Sequence, residues 1–232
     1  MSGTTTISMS VIARIHSDFP DKFGIPRQAG LAESLRSEIV FEEEFRSPDA
    51  LKGLENFSHI WILWQFSKAV RECFSPTVRP PMLGGNTRMG VFATRSPYRP
   101  NAIGLSCVRL EEIRQDEKNG DVLVVSGADL MDGTPILDIK PYLAYTDSHP
   151  EAASGFADPE NWETLHVDFP EELLLKIPEN SRAGLLEVLR QDPRPAYQRG
   201  EEREYGLSFA GKNIRFRVKG DTLHVLAVEE LR

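Results

Sequence analysis

Five arginines within residues 73–110 are the side chains of this sequence that most clearly point to chemistry. This stretch of 38 residues, here called the arginine window, contains no Asp, Glu or Lys, although the protein of 232 residues has a net charge of −8. The other 194 residues therefore carry a net charge of −13. Arginine offers a permanent charge and a planar set of donors that match carboxylate and phosphate groups. The window thus predicts a surface that recognises an anionic ligand by geometry.

The glycines of the window do not form one of the common nucleotide loops. Gly85 and Gly90 have the spacing of a phosphate-binding loop, but Val91 and Phe92 follow where that loop has Lys and then Ser or Thr. No Gly-x-Gly-x-x-Gly follows a predicted strand, so a Rossmann methyltransferase is not predicted. The sequence also lacks a Gly-x-Ser-x-Gly nucleophile elbow and a cluster of His, Cys or carboxylates at ligand spacing, so we expect no metal.

A second stretch, residues 127–142, carries acidic residues where an apolar strand ends. It reads GADLMDGTPILDIKPY and places Asp129 and Asp132 before a tight Asp-Gly turn. One interpretation is a turn whose aspartates bond their own backbone. The other is a binding site in which Asp129 or Asp132 contacts the ribose hydroxyls or the cationic amine of a ligand. Opposite the arginines, such carboxylates predict a bipolar pocket for a zwitterionic ligand.

The elements that must position these residues are mostly short strands. Runs of apolar and β-branched residues separated by turn residues predict an antiparallel or mixed barrel and not a doubly wound parallel sheet. Helices are predicted from a cap at Ser47 to Gly53 and from a cap at Asn180 or Ser181 to about Gln191. Strands are predicted at 10–16, 39–41, 57–66, 90–94, 103–113, 122–127, 136–139, 207–209, 214–218 and 222–228.

The predicted fold class is mainly β or α+β, in two units. Residues 1–146 are expected to form a β-barrel, 147–162 a linker, and 163–232 a small α+β domain. The first ten residues lack the features of a signal peptide, and no apolar run approaches the roughly 18 residues of a membrane span. We therefore expect a cytoplasmic protein with no membrane partner, whose Cys73 and Cys107 are ordinary thiols. The acidic charge also argues against DNA as a partner.

Several long motifs together resemble the TrmO family, which is also called YaeB-like or TsaA-like. The resemblance implies an S-adenosylmethionine-dependent methyltransferase that methylates N6 of threonylcarbamoyladenosine, next to the anticodon of threonine tRNA. It also implies a β-barrel cofactor domain, a small C-terminal domain and a homodimer. The motifs are Pro26-Arg27-Gln28, FSHIWILWQF at 57–66, the thirty residues 77–106, the stretch 127–142, and QDPRPAY at 191–197.

The resemblance assigns candidate cofactor contacts. Arg27 or Arg95 suits the carboxylate in the methionine part of the cofactor, and Asp129 suits its ribose or amine. The pocket needs donors for the carboxylate, acceptors for the hydroxyls and apolar walls, and the sequence offers all three. The implied contacts are Pro26, Arg27, Gln28, Gln65, Phe66, Arg95, Leu105, Ala128 and Asp129.

The substrate nitrogen is attached to the adenine ring and to a carbamoyl carbonyl, so catalysis must orient it and help its proton leave. For this we predict Tyr98 and Asn101, with Asp129 or Asp132 as possible bases. A proline-flanked turn that only shapes the loop is the structural alternative for Tyr98 and Asn101.

The substrate's threonyl carboxylate and the phosphates of the anticodon loop are anions, which Arg79, Arg88 and Arg99 can bind. Candidates for stacking on the flipped purine are Phe92, Tyr98 and Tyr142. Arg194 and Tyr197 are predicted to reach the tRNA or a partner subunit, or else to form an inter-domain turn. Two rival functions stay open, a non-catalytic module that binds RNA or anions and a methyltransferase with another acceptor.

Overall fold

Strands dominate the structure, a computed structural model that describes residues 5–70, 73–157, 164–195, 198 and 203–231. The strands are β1 (Ala13–His16), β2 (Arg36–Phe41), β3 (His59–Gln65), β4 (Thr77–Val78), β5 (Met89–Gly90), β6 (Ile103–Asp116), β7 (Gly120–Ser126), β8 (Pro135–Pro141), β9 (His166–Asp168), β10 (Glu204–Phe209), β11 (Lys212–Lys219) and β12 (Thr222–Glu230). The α-helices are α1 (Pro48–Leu51), α2 (Ala144–Asp147), α3 (Glu171–Leu174) and α4 (Glu179–Arg190). Within these ranges, no helix has the length and apolar character needed to cross a membrane.

Six strands close into an antiparallel barrel in the order β1-β2-β7-β6-β3-β8, which confirms the predicted barrel. The alternation of β3 explains how the barrel is filled, because Ile60, Ile62 and Trp64 are buried while their neighbours are only partly covered. The register between β3 and β6 pairs His59 with Arg109 at one end and Gln65 with Ile103 at the other. The second of these ends holds the candidate site.

The C-terminal unit is a four-stranded sheet in the order β10-β11-β12-β9. The first three strands were predicted and pair as an antiparallel meander, while β9 joins β12 in parallel and was not predicted. Its apolar face packs against helix α4, since Leu185 and Leu189 share one core with Phe209 and Phe216. The predicted small α+β domain is therefore present.

The segment between β1 and β2, residues 17–35, packs on the C-terminal unit although it connects two barrel strands. Phe19 and Leu35 belong to the C-terminal core, and the Phe19 ring meets the Phe209 ring edge-on at 5.2 Å between centroids. The backbone N–H of Ala210 also donates to the carbonyl of Asp18 at 2.9 Å. The two units are thus joined through this connecting segment.

Two local predictions are wrong. The strand predicted at 90–94 ends at Gly90 as β5, because Val91–Ala93 is a 3-10 turn closed by the Thr94 N–H and hydroxyl on the Val91 carbonyl. Helix α4 is not capped by Asn180 or Ser181, since it begins at Glu179 and its N-cap residue is Pro178. The short helix α1 does begin after Ser47, as predicted.

Candidate functional site

The barrel brings four distant parts of the sequence to one end. In an antiparallel barrel the end of one strand lies beside the start of its neighbour. The end of β3 therefore meets the start of β6, as Gln65 opposite Ile103 shows. The loop from β7 to β8 lies at the same end, and the connecting segment is bonded to that loop because Gly30 N–H donates to the Gly127 carbonyl at 2.9 Å.

A chain of hydrogen bonds runs from the barrel interior to an acidic side chain. Trp64 Nε1–H donates to Ser106 Oγ at 3.0 Å, and the Ser106 hydroxyl donates to Asp129 Oδ1 at 2.6 Å. The Trp64 indole covers Gly104, where an added Cβ would lie 2.5 Å from Trp64 Cζ2. Real Cβ atoms do not approach other atoms this closely. The glycine is therefore needed to let the indole reach Ser106.

Asp129 is a half-buried carboxyl at the centre of this end of the barrel. Burial raises its pKa, because the charged form is desolvated. The Ser106 hydroxyl, the backbone N–H of Ala29 and the nearby charge of Arg95 act in the opposite direction, since they favour the ionised form. The site thus holds a carboxyl that is short of water and that a cationic or hydroxyl-bearing ligand would stabilise in its charged state.

A hydrogen bond joins Arg95 of the arginine window to Gln28 of the connecting segment. An Arg95 guanidinium N–H donates to Gln28 Oε1, and Gln28 Nε2 donates to the carbonyl of Arg27. Pro26 is buried, whereas Arg27 and Arg95 are exposed. The structure therefore brings the predicted cofactor contacts of the connecting segment together with Arg95 of the arginine window.

Apolar side chains lie at the end of β3 and the start of β6. The Phe66 ring packs on Trp64 at 4.2 Å between centroids, and Gln65 is half-buried beside it. Leu105 points outward from β6 with 55% of its surface exposed, while Ala128, next to Asp129 in the sequence, is buried. The arrangement offers a carboxyl, a cationic donor and an apolar wall to one ligand.

The loop from Arg95 to Ala102 forms the rim of the site. The Ala102 carbonyl accepts from the Phe66 N–H at 2.8 Å, which fixes the loop beside the end of β3. Tyr98 and Asn101 are exposed on this loop. Arg99 is half-buried and donates to the Thr94 carbonyl at 2.7 Å. The Arg99 guanidinium therefore holds the loop in shape, and fewer of its N–H groups are left to bind an anionic ligand.

A two-stranded arm carries the other arginines. Strands β4 and β5 pair Val78 with Met89, so Arg79 and Arg88 follow and precede this pair on opposite strands, and both are exposed. Among the described residues neither has an ion-pair partner. The rings of Phe74 and Phe92 stack at 6.4 Å and are 58% and 74% exposed. Cations beside exposed rings are the side chains that bind single-stranded RNA.

Two predicted residues lie away from the cluster of Arg95, Gln28 and Asp129. Asp132 is on the same loop as Asp129, but its carboxylate accepts from the Ser17 N–H at 3.2 Å and lies 3.2 Å from His16 Nδ1. The Tyr142 N–H donates to the His59 carbonyl at 3.0 Å, at the start of β3. Tyr142 therefore lies at the opposite end of the barrel from Gln65, and the site within one chain does not include it.

Arg194 is buried in the C-terminal unit. Its guanidinium donates to both carboxylate oxygens of Asp192, at 2.8 and 3.0 Å, and only 7% of its side chain is exposed. This geometry favours the structural-turn alternative over contact with RNA. Tyr197, which was predicted with it, lies outside the described residues.

Sequence reasoning missed Ser106 and Trp64 as members of the site. A signal was present, because Ser106 occupies an inward position in the alternating run IGLSCV of β6. A polar residue at a buried position needs a partner. Only the fold shows that the partners are Trp64 and Asp129.

Known proteins share this architecture and sequence. Residues 14–148 match the model of the tRNA-methyltransferase O N-terminal domain, and residues 163–231 match that of the TrmO C-terminal domain. An Escherichia coli protein named tRNA (adenine(37)-N6)-methyltransferase is 43% identical over 226 residues, covering 94% of this chain and 96% of the relative.

Two further comparisons concern Pseudomonas aeruginosa. One relative, whose name describes a candidate S-adenosylmethionine-dependent methyltransferase, is 41% identical and covers 96% of this chain and 98% of its own. A crystal structure of TrmO from this organism superposes with a TM-score of 0.79 at 34% identity, covering 100% of both chains.

Proposed function

The chain belongs to the tRNA-methyltransferase O family and is an S-adenosylmethionine-dependent tRNA (adenine37-N6)-methyltransferase, and from this premise we propose which adenosine it modifies and with which residues. The substrate is threonylcarbamoyladenosine in the anticodon loop of threonine tRNA. One observation carries the proposal. The barrel end brings the Asp129 carboxyl and the Arg95 cation together, beside an arm that bears arginines and no acidic residue.

The residues at this end fit S-adenosylmethionine by their chemistry. The cofactor has an amino acid zwitterion, ribose hydroxyls and an adenine ring, which need donors, acceptors and apolar contact. Arg95 with Gln28 supplies the donors for the carboxylate, Asp129 the acceptor for the amine or ribose, and Phe66 with Leu105 the apolar surface. When bound, the cofactor supplies an electrophilic methyl group on a sulfonium.

The protein's own residues must orient the acceptor nitrogen and receive its proton. Tyr98 and Asn101 project from the rim loop, which is fixed to the end of β3, so they are suited to hold the adenine. Correct orientation contributes up to about 7–11 kcal/mol in the best model reactions, so we assign the larger share of the rate to positioning. Of the two predicted bases, Asp129 lies in the cluster with Arg95, so it is the proposed proton acceptor. The Asp132 carboxylate lies away from this cluster, against Ser17 and His16.

The arm supplies the contacts with RNA. Arg79 and Arg88 are proposed to bind the threonyl carboxylate and the loop phosphates, since both are exposed and the arm carries no competing carboxylate. Arg99 acts with them by holding the rim loop in shape. Phe92 and Tyr98 offer exposed rings on which unstacked bases can lie.

Titration calorimetry with S-adenosylmethionine tests the cofactor assignment. We expect saturable binding by the native protein and a strong loss in Arg95→Ala, because the carboxylate loses its charged partner. Arg217→Ala is the matched control, since Arg217 is equally exposed but lies on β11 of the C-terminal sheet. Retained tRNA binding without any cofactor binding would instead support a non-catalytic RNA-binding module.

Nucleoside mass spectrometry of tRNA tests the acceptor. Threonine tRNA from a deletion strain should lack the N6-methylated form of threonylcarbamoyladenosine, and a plasmid copy should restore it. In vitro, methyl transfer should occur with tRNA that carries the threonylcarbamoyl group and be lost with the unmodified transcript. Equal transfer to both would show that the threonyl carboxylate is not recognised.

The salt dependence of tRNA binding tests the arm. Each phosphate contact contributes a slope of about −0.7 for single-stranded RNA in a plot of log affinity against log salt. Arg79→Ala and Arg88→Ala should each weaken binding and reduce this slope by about that amount if they contact phosphate.

We also propose a homodimer that acts in the cytoplasm, where tRNA is found, and light scattering at several protein concentrations tests the dimer.

A further inference from the structure

Helix α4 of the C-terminal unit presents one stripe of residues to the connecting segment. Gly184, Glu187 and Gln191 follow one another at spacings of three and four, so they lie on the same face of the helix. None of these residues belongs to the site described above. Their partners, Leu31, Ser34 and Leu35, lie just after the cofactor contacts at 26–28.

The stripe holds the segment by hydrogen bonds that are specific to its side chains. The Glu187 carboxylate accepts from the Ser34 N–H at 2.9 Å and from the Ser34 hydroxyl at 2.6 Å. One helical turn later, Gln191 Nε2 donates to the Leu31 carbonyl at 2.7 Å. A carboxylate that accepts two hydrogen bonds from one residue fixes both the backbone and the side chain of that residue.

Close approach of the helix makes these bonds possible. A Cβ at Gly184 would lie 3.1 Å from Leu35 Cα and 2.7 Å from Leu35 Cδ2, so the helix backbone packs directly on the segment. This contact explains why a glycine, which is unfavourable inside a helix, occurs at this position.

The opposite side of the segment is fixed to the cofactor site. Gly30 N–H donates to the Gly127 carbonyl, and Gly127 N–H donates to the Leu35 carbonyl, both at 2.9 Å. The backbone N–H of Ala29 also favours the ionised form of the Asp129 carboxyl. Residues 29–35 are therefore clamped between the Asp129 loop on one side and helix α4 on the other, immediately after Arg27 and Gln28.

We infer that Glu187 and Gln191 are positioning residues for the cofactor, through which the C-terminal unit sets the place of Gln28, Ala29 and Asp129. The inference rests on the proposed cofactor site. Without the clamp, the segment would have to be ordered when the cofactor binds, and the cost of that ordering would appear as weaker cofactor affinity.

Calorimetry with S-adenosylmethionine on the full-length chain tests the clamp. We expect Glu187→Ala to raise the cofactor Kd about tenfold, on the scale of one hydrogen bond to a charged group. Glu187→Gln keeps one acceptor oxygen and should lie between Glu187→Ala and the native protein. Glu179→Gln, at the exposed start of the same helix, is the control and should leave the cofactor Kd unchanged.

Steady-state kinetics separates positioning from loss of folded protein. A positioning role raises the KM for the cofactor and leaves the KM for tRNA unchanged, whereas partial unfolding lowers kcat alone. Ser34→Ala in the Glu187→Ala background should add no further effect on the cofactor Kd, because the two residues act through one contact.

The outcomes also distinguish this inference from the proposed function. A native protein that does not bind S-adenosylmethionine would overturn the proposed cofactor site itself. Native binding together with an unchanged Kd in both Glu187 variants would overturn only the clamp. Glu187→Gln keeps the test decisive if Glu187→Ala fails to fold.

Discussion

Replacing Ser106 by Ala tests the hydrogen-bond chain that joins the barrel core to the site. The Ser106 hydroxyl accepts from Trp64 Nε1 at 3.0 Å and donates to Asp129 Oδ1 at 2.6 Å. Alanine occupies nearly the same space, so the substitution removes both bonds without overpacking. The indole N–H then stays buried without its acceptor, and the Asp129 carboxyl loses a donor.

The loss of these two hydrogen bonds sets the expected change in the free energy of unfolding. A buried donor left unsatisfied costs about 1–3 kcal/mol, and a hydrogen bond to a charged acceptor contributes about 1.5–3 kcal/mol. Asp129 keeps the backbone N–H of Ala29, which offsets part of the second loss. We therefore expect Ser106→Ala to lower the free energy of unfolding by about 2–4 kcal/mol at neutral pH.

Urea unfolding followed by tryptophan fluorescence measures this change. Ser37→Ala is the matched control, because Ser37 is also a buried serine of a barrel strand but its hydroxyl has no hydrogen-bond partner among the described residues. If Ser106→Ala is no more destabilising than Ser37→Ala, within about 0.5 kcal/mol, the hydrogen-bond chain does not stabilise the barrel end as argued here.

Three further substitutions test other parts of the structure. Gly104→Ala should cost about 1–3 kcal/mol, because the new Cβ would displace the Trp64 indole, and an unchanged urea midpoint would contradict this close contact. Burial raises the Asp129 pKa, so the folded protein keeps a proton that the unfolded chain has already released. The free energy of unfolding therefore falls as pH rises from the ordinary aspartate pKa through the raised value. Asp129→Asn should reduce this fall in a pH series of urea titrations, and an identical slope would refute the assignment to Asp129. Arg194→Ala removes the bidentate partner of buried Asp192 and should lower the free energy of unfolding by about 3–5 kcal/mol, with tRNA affinity unchanged in the folded fraction. Weaker tRNA binding at native stability would instead show that Arg194 contacts the RNA.

Local patterns in the sequence were sufficient to predict most strands of the barrel. The β-branched and aromatic content of short apolar runs located β3 and β6. The structure then shows the period of two, which sorts their side chains to core and solvent. The strand prediction at 90–94 was wrong from residue 91 onwards, where the chain forms a 3-10 turn. A short apolar run is too short to show the periodicity that distinguishes a strand from a turn. The sequence pattern also missed β9, whose three residues gain their strand conformation from pairing with β12.

Site residues were less accessible to this reasoning. Arg95 and Asp129 could be proposed from charge and motif. Asp132 is of the same type as Asp129, and Tyr142 is in the same motif, yet both lie elsewhere. Side-chain type does not reveal which way a loop turns. The connecting segment makes the same point, because nothing in its sequence shows that it packs on the C-terminal core.

The sequence by itself determined the class of chemistry and the family, since a charge-sorted arginine window and several long motifs are properties of the chain alone. Tertiary structure decided which charges meet. Closure of the barrel sets Ser106 between Trp64 and Asp129, and packing of helix α4 sets Glu187 against Ser34, 153 positions away in the sequence. Such contacts depend on the register of strands and the docking of a helix, which are fixed by the sum of many packing interactions and not by any local stretch of residues.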